Sequence, residues 1–279
     1  MLINEKIPLD NRWPDAYIET YVSTPIHTHK RKGLLIIPGG GYHCVCDDRE
    51  GEPIALEFMS YGYQCFVLHY STSSTSNAVY PAQLIQAALA MQFIKTHAEQ
   101  YQIDEQHIFA MGFSAGGHLA GCLATMWHHS EIYKQTSMTY GCPKPAGVML
   151  IYPVVVGTKP FAHEDSFKNL LSSEKLSLEE RLMCSIDCAV DERSSPAFLL
   201  HTANDQVVAV ENTLLLANAY AKAKVSFEVH IFPDAPHGVA LANDITQCGE
   251  PKWNNPSIAL WVQHAVSWMQ YISGGNCYE

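Results

Sequence analysis

Long apolar runs are missing from this sequence of 279 residues. A membrane-spanning helix needs about 18 or more consecutive apolar residues. The best candidate, residues 148–156, is far shorter and is interrupted by Tyr152 and Pro153, so no membrane span is expected. Basic residues are also scarce: 17 Lys and Arg stand against 28 Asp and Glu, a formal net charge of −11. A field of that sign repels phosphate backbones and anionic lipid surfaces, which argues against nucleic acid and for a small neutral substrate. The amino terminus, Met1-Leu-Ile-Asn-Glu5-Lys-Ile-Pro8, lacks the basic region and apolar core of a secretory signal, and a cytoplasmic protein is expected. The nine cysteines, at positions 44, 46, 65, 122, 142, 184, 188, 248 and 277, form no C-x-x-C pair, so free thiols are expected. Cys184 and Cys188 stand four apart, as two ligands on one helix face would, but no second pair completes a zinc site. No metal or cofactor is expected. Internal repeats and low-complexity tracts are absent. A homodimer is compatible with the sequence, which says nothing further about assembly.

The composition that remains, 47% hydrophobic and 16% charged, is enough for one large core, and a single domain over residues 1–279 is expected. Short apolar runs, beginning at residues 33–38 and 64–70, are separated by stretches of helical periodicity such as Ile54, Ala55, Phe58 and Met59. Further strands are expected near 107–112, 146–152, 197–202 and 225–232. The helices between them are expected near 81–100, 116–127, from about Glu211, and near 258–271. This alternation predicts an α/β fold: a mostly parallel central sheet with helices on both faces. Between Pro153 and Pro196 the alternation lapses into mixed charge with a helical patch near 176–188, read as a small cap or lid inserted over the sheet edge.

Gly112-Phe-Ser114-Ala-Gly116 follows an apolar run and opens a helical one, which is the setting of the G-x-S-x-G nucleophile elbow. The glycines are needed because the serine occupies a strained turn where flanking side chains would clash. A serine hydroxyl is a poor nucleophile at neutral pH, so it needs a base and a group that orients the base. In this arrangement the chain order is Ser, then Asp or Glu, then His. Asp205 follows the run 197–202 in Thr-Ala-Asn-Asp-Gln-Val-Val; alone it reads as a helix cap or turn residue, and its place in the order selects it as the orienting acid. His237, in Pro-Asp-Ala-Pro-His-Gly, follows the run 225–232 and is the candidate general base; His230 lies inside that strand pattern and is passed over. The N–H groups of Ala115 and of Gly40 or Gly41 are the candidate oxyanion donors. A triple glycine also suits a phosphate cradle, but no lysine–serine pair follows as a P-loop demands. Arg49, Glu50 and Glu52 fit either a lining of the site and a brace for the glycine loop or simply a charged helix start, and they are given no catalytic role.

Taken together, Pro38-Gly-Gly-Gly-Tyr42, Arg49-Glu-Gly-Glu-Pro53, Gly112-Phe-Ser-Ala-Gly-Gly-His118, Ile151-Tyr-Pro153, the Asp205 segment, and Pro236-His-Gly238 with Leu241-Ala-Asn243 resemble the acetyl-esterase and acetylxylan-esterase-like branch of the α/β-hydrolases. The resemblance covers nearly the whole chain. It departs from the hormone-sensitive-lipase group, with proline before the glycine run and Phe113 where histidine is often found. It implies a serine esterase of the α/β-hydrolase fold that deacetylates small esters, acetylated sugars among them, through an acyl-enzyme. Arylformamidase-type amide hydrolases carry very similar motifs and are the alternative; a binding module that has lost its chemistry is argued against by the intact Ser, Asp and His in order.

Overall fold

A computed structural model describes residues 1–24 and 29–274, so Cys277 lies outside the described residues. The strands are β1 (Leu2–Ile3), β2 (Lys6–Pro8), β3 (Tyr17–Ser23), β4 (Arg31–Ile37), β5 (Gln64–His69), β6 (Ile103–Phe113), β7 (Val148–Ile151), β8 (Ala197–Thr202) and β9 (Phe227–Phe232). They form one sheet in the order β1-β3-β5-β4-β6-β7-β8-β9, with β2 also paired to β3. From β5 to β9 every pairing is parallel, whereas β1, β2 and β5 run antiparallel to β3.

Side chains alternate across a strand, and here that period of two sorts the core into two layers. Leu35, Ile37, Phe66, Leu68, Ala110, Leu150 and Leu199 point to one face. Their neighbours Leu34, Ile36, Cys65, Val67, Met111, Met149 and Leu200 point to the other. Both sets are buried, which is why these strands read as continuous apolar runs in the sequence rather than as alternating ones.

The helices are α1 (Asp47–Glu50), α2 (Glu52–Ser60), α3 (Ala82–Thr96), α4 (Ser114–Met126), α5 (Ser130–Gln135), α6 (Glu164–Leu171), α7 (Leu178–Met183), α8 (Ile186–Ala189), α9 (Glu211–Ala223), α10 (Pro256–Ala259) and α11 (Trp261–Ile272). The first layer is covered by α3, α4 and α9, through residues such as Leu84, Met91, Leu119, Leu123 and Tyr220. The second is covered by α2 and α11, through Ile54, Phe58, Trp261, Ala265 and Met269. The expected fold class is therefore the observed one.

Three local differences have physical causes. The antiparallel β1–β3 ribbon was not anticipated: β1 and β2 are two and three residues long and only partly buried, too short to show a period. The patch expected at 176–188 is two helices, because Ser185 Oγ turns back to the Arg181 carbonyl and accepts the Gly157 N–H, competing with the helical ladder. The segment also holds α6, whose Phe167 and Leu170 join the same core layer as α3 and α4. Among the described residues no helix is long and apolar enough to cross a membrane.

Candidate active site

All parallel strands deliver their carboxyl ends to one edge of the sheet, the edge where open α/β folds keep their ligands. Ser114 sits where β6 becomes α4, with φ at +52°, a left-handed conformation that non-glycine residues adopt only under constraint. The constraint is crowding. A Cβ on Gly116 would lie 2.1 Å from the Ile37 carbonyl oxygen, and one on Gly112 would lie 2.2 Å from that of Gly116. The turn is therefore as tight as backbone contact permits, and it puts the serine at the start of α4.

Asp205 stands three residues beyond β8, and His237 five beyond β9. His237 Nδ1 is 2.6 Å from Asp205 Oδ2, and its Nε2 is 2.8 Å from Ser114 Oγ. A carboxylate only accepts, so Nδ1 carries the proton and Nε2 presents its lone pair to the serine hydroxyl. Asp205 is held in turn: its Oδ1 accepts the N–H groups of Val207 at 2.8 Å and Val208 at 3.0 Å. Buried His201 approaches the same Asp205 Oδ2, its Nε2–H shared between the Val208 carbonyl at 2.9 Å and that oxygen at 3.4 Å. Burial pushes the Asp205 carboxyl up, but hydrogen bonds from His201 and His237, the charge of His237 and the Val208 N–H outweigh it and hold the group well below the usual carboxylate range.

The glycine run follows β4. Gly40 and Gly41 have φ at +122° and +63°, which glycine adopts without penalty. A Cβ on Gly39 would stand 3.0 Å from Ser114 Cβ, so this loop passes directly against the elbow. Ala115 follows the serine in the first turn of α4, where backbone N–H groups have no partner within the helix.

The residue that ties these loops together is one the sequence assigned no catalytic role. Glu50, 2% exposed, accepts the Gly39 N–H with Oε2 at 2.8 Å and the Tyr152 hydroxyl with Oε1 at 2.9 Å. The Tyr152 oxygen accepts the Ala240 N–H from the loop after His237, and its ring meets the His237 imidazole edge to face, centroids 4.9 Å apart. One buried carboxylate thus braces the glycine loop and, through Tyr152, the histidine loop. The brace was one of the two readings left open for Glu50. Arg49 lies over the Trp253 ring, whose indole N–H donates to the His237 carbonyl.

The segment 153–196 reaches the same edge. Asn169 donates to the Gly41 carbonyl at 2.9 Å, and Ser166 Oγ lies 3.8 Å from where a Gly41 Cβ would be. Half-buried His163 is pushed down by burial first and then by the charge of His237. Buried His118 donates Nε2–H to the Cys184 carbonyl at 2.6 Å and faces the Tyr42 hydroxyl through Nδ1 at 2.7 Å; burial lowers it to about 4, so it is neutral at pH 7. The eight cysteines within the described residues are free thiols; Cys184 is buried and Cys188 exposed.

Against this geometry, the BD-FAE family model matches residues 21–220. The chain belongs to the BD-FAE family. The matched stretch includes Ser114 and Asp205 and ends before His237. Among relatives, endo-1,4-β-xylanase B of Butyrivibrio fibrisolvens is 38% identical over 218 residues, covering 77% of this chain and 33% of that protein. The acetylxylan esterase of Xylanibacter ruminicola is 24% identical over 210 residues, covering 74% and 41%. The chain thus spans only a third to two fifths of these two proteins. A solved structure, the acetyl ester-xyloside bifunctional hydrolase from Caldicellulosiruptor lactoaceticus, superposes with a TM-score of 0.83 at 29% identity, covering 98% of this chain and 97% of that one. The resemblance to the acetyl-esterase and acetylxylan-esterase-like branch of the α/β-hydrolases is borne out.

Proposed function

We propose that this chain is a serine esterase for short acyl groups, acetyl first among them, with Ser114 as nucleophile, His237 as general base and Asp205 as the acid that orients it. The observation that carries the reading is the unbroken contact chain from Ser114 Oγ through His237 to Asp205, 2.8 and 2.6 Å long. Ser114 Oγ attacks the ester carbonyl while His237 Nε2 takes its proton. The charge that develops on the carbonyl oxygen is met by the N–H of Ala115 and one from Gly40 or Gly41. His237 then passes the proton to the leaving alcohol, the acyl group stays on Ser114, and water activated by the same imidazole releases the acid.

Acetylated sugars are the substrate class favoured by the names of the relatives, an acetylxylan esterase and an acetyl ester-xyloside hydrolase. Asn169 and the buried Ser166, from the segment 153–196, lie against the glycine loop and tie that segment to it. That segment is proposed as the cap that decides which esters enter.

Hydrolysis of p-nitrophenyl esters from acetyl to decanoyl, for the native chain and Ser114→Ala side by side, tests the reading. The expected result is a steep preference for acetyl and a loss of about 10⁴-fold or more in kcat in the variant. Undiminished turnover by Ser114→Ala removes the nucleophile, and cleavage of N-formyl aryl amides without ester turnover replaces esterase with amidase.

A further inference from the structure

Glu19, Asp47 and His69 come from three separate elements and meet beside the start of α1. The β3–β5 register sets Tyr17 opposite His69, and Glu19, two residues along β3, points to the same face. Asp47 opens α1 and approaches from the loop after the glycines. One donor atom from each residue lies within 4.8 Å of the other two, the one such group of three among the described residues. His69 Nε2 is 3.7 Å from Glu19 Oε2 and 3.6 Å from Asp47 Oδ1.

These spacings decide between two kinds of cluster. An ion pair or hydrogen bond closes to about 2.7–3.2 Å. Donors arranged tetrahedrally around an ion at ligand distances of about 2.0–2.2 Å stand about 3.4 Å apart. Both separations from His69 Nε2 lie close to the second value and outside the first. Moreover, His69 Nε2 and Asp47 Oδ1 are both buried and have no hydrogen-bond partner. Leaving such atoms unsatisfied costs their full desolvation, which a bound ion relieves for both together. Lys6 does not do this work: its ammonium is 3.8 Å from Glu19 Oε2 with a side chain 63% exposed, and it reaches neither orphaned atom within ion-pair distance. Tyr17 stacks on His69 with centroids 4.3 Å apart and planes 10° apart, fixing the imidazole plane.

We propose that Glu19, Asp47 and His69 bind one divalent transition-metal ion of the zinc type. One imidazole nitrogen and two carboxylate oxygens suit zinc, and they fall short of the six to eight oxygens that calcium takes. The ion has a structural role. Asp47 lies on the same short helix as Glu50, so a metal there pins the element that braces the glycine loop.

Tag-free full chain, stripped with a chelator and dialysed, is titrated with Zn²⁺ alone by calorimetry and with Co²⁺ alone by absorbance. The expected result is one equivalent bound, with affinity reduced tenfold or more in Glu19→Gln and in His69→Gln and unchanged in His107→Gln, a histidine elsewhere on the surface. Co²⁺ is expected to give d–d bands without a thiolate charge-transfer band, and Zn²⁺ to raise the Tm of the native chain and not of the two site variants. Should His69→Gln fail to fold, Asp47→Asn, at the more exposed ligand, takes its place. Absence of stoichiometric binding, binding that survives the site substitutions, or a thiolate band overturns the proposal.

Discussion

At His237 the position of one proton follows from its two neighbours. Asp205 can only accept from Nδ1, so the imidazole tautomer is set, and the Val207 and Val208 N–H groups stop the carboxylate from turning away. Burial disfavours the Asp205 charge, yet the hydrogen bonds from His201 and His237 more than offset it and depress the folded-state pKa. A depressed carboxyl stabilises the fold fully above its unfolded value of about 4 and loses that contribution as pH falls below it. Asp205→Asn is therefore expected to be less stable than the native chain at pH 7, with a gap that has only begun to narrow at pH 3 because the folded carboxyl is still ionised there, which urea unfolding at the two pH values checks. Its turnover is expected to fall about 10⁴-fold, since an amide no longer enforces the tautomer. Glu50 acts differently, through the two loops it holds. Glu50→Ala leaves the Gly39 N–H and the Tyr152 hydroxyl without their buried partner. A cost of about 1–3 kcal/mol at the glycine loop, if felt in the transition state, corresponds to a fall in kcat of about 5- to 150-fold with KM little changed. Glu50→Gln, which keeps one acceptor, is expected to fall between. A kcat and KM comparison of the three proteins checks both points; equal loss in KM would assign Glu50 to substrate binding instead.

At the scale of elements, the β6–α4 elbow separates two kinds of glycine. A Cβ at Gly116 would meet only backbone, the Ile37 and Pro38 carbonyl oxygens at 2.1 and 2.3 Å, and backbone cannot swing aside. A Cβ at Gly121 would meet Ile186 Cδ1 at 2.6 Å, the far end of a side chain that can. Gly116→Ala is expected to cost more than about 4 kcal/mol or to prevent folding, and Gly121→Ala only about 1–2 kcal/mol, as thermal unfolding would show. The elbow was legible because everything it needs is contiguous: an apolar strand, two glycines and a helix start within a few residues. The positions of Asp205 and His237 were legible because each follows an apolar run in the expected chain order. The brace through Glu50 could not be chosen from sequence, since Tyr152 lies 102 residues away and nothing local distinguishes a buried acid from a charged helix start. Glu19, Asp47 and His69 were hidden for the same reason: they meet only because β3 pairs antiparallel with β5, and β3 itself, seven residues with Glu19 and Thr20 buried among apolar ones, shows neither an apolar run nor an alternation. The segment 153–196 showed its lack of strands but not α6, whose eight residues leave little room for a period to appear.

For the whole molecule, a charge of −11 surrounds the site proposed to receive an uncharged ester. Long-range repulsion of this sign is screened by salt, with a Debye length of about 10 Å at 0.1 M and about 3 Å at 1 M. Turnover of a neutral acetyl ester is therefore expected to change less than about twofold between low and high salt, while kcat/KM for a negatively charged ester rises as salt is added. An equal response of the two substrates would mean that the net charge plays no part in selection. The central claim is that the fold delivers one activated serine to the carboxyl edge of the sheet, and covalent trapping tests it most directly. The native chain, treated with a fluorophosphonate and digested, is expected to carry a single adduct on the peptide containing Ser114, with esterase activity lost in proportion to labelling and no adduct in Ser114→Ala. Labelling at another serine with loss of activity, or full activity after complete labelling of Ser114, would contradict the account.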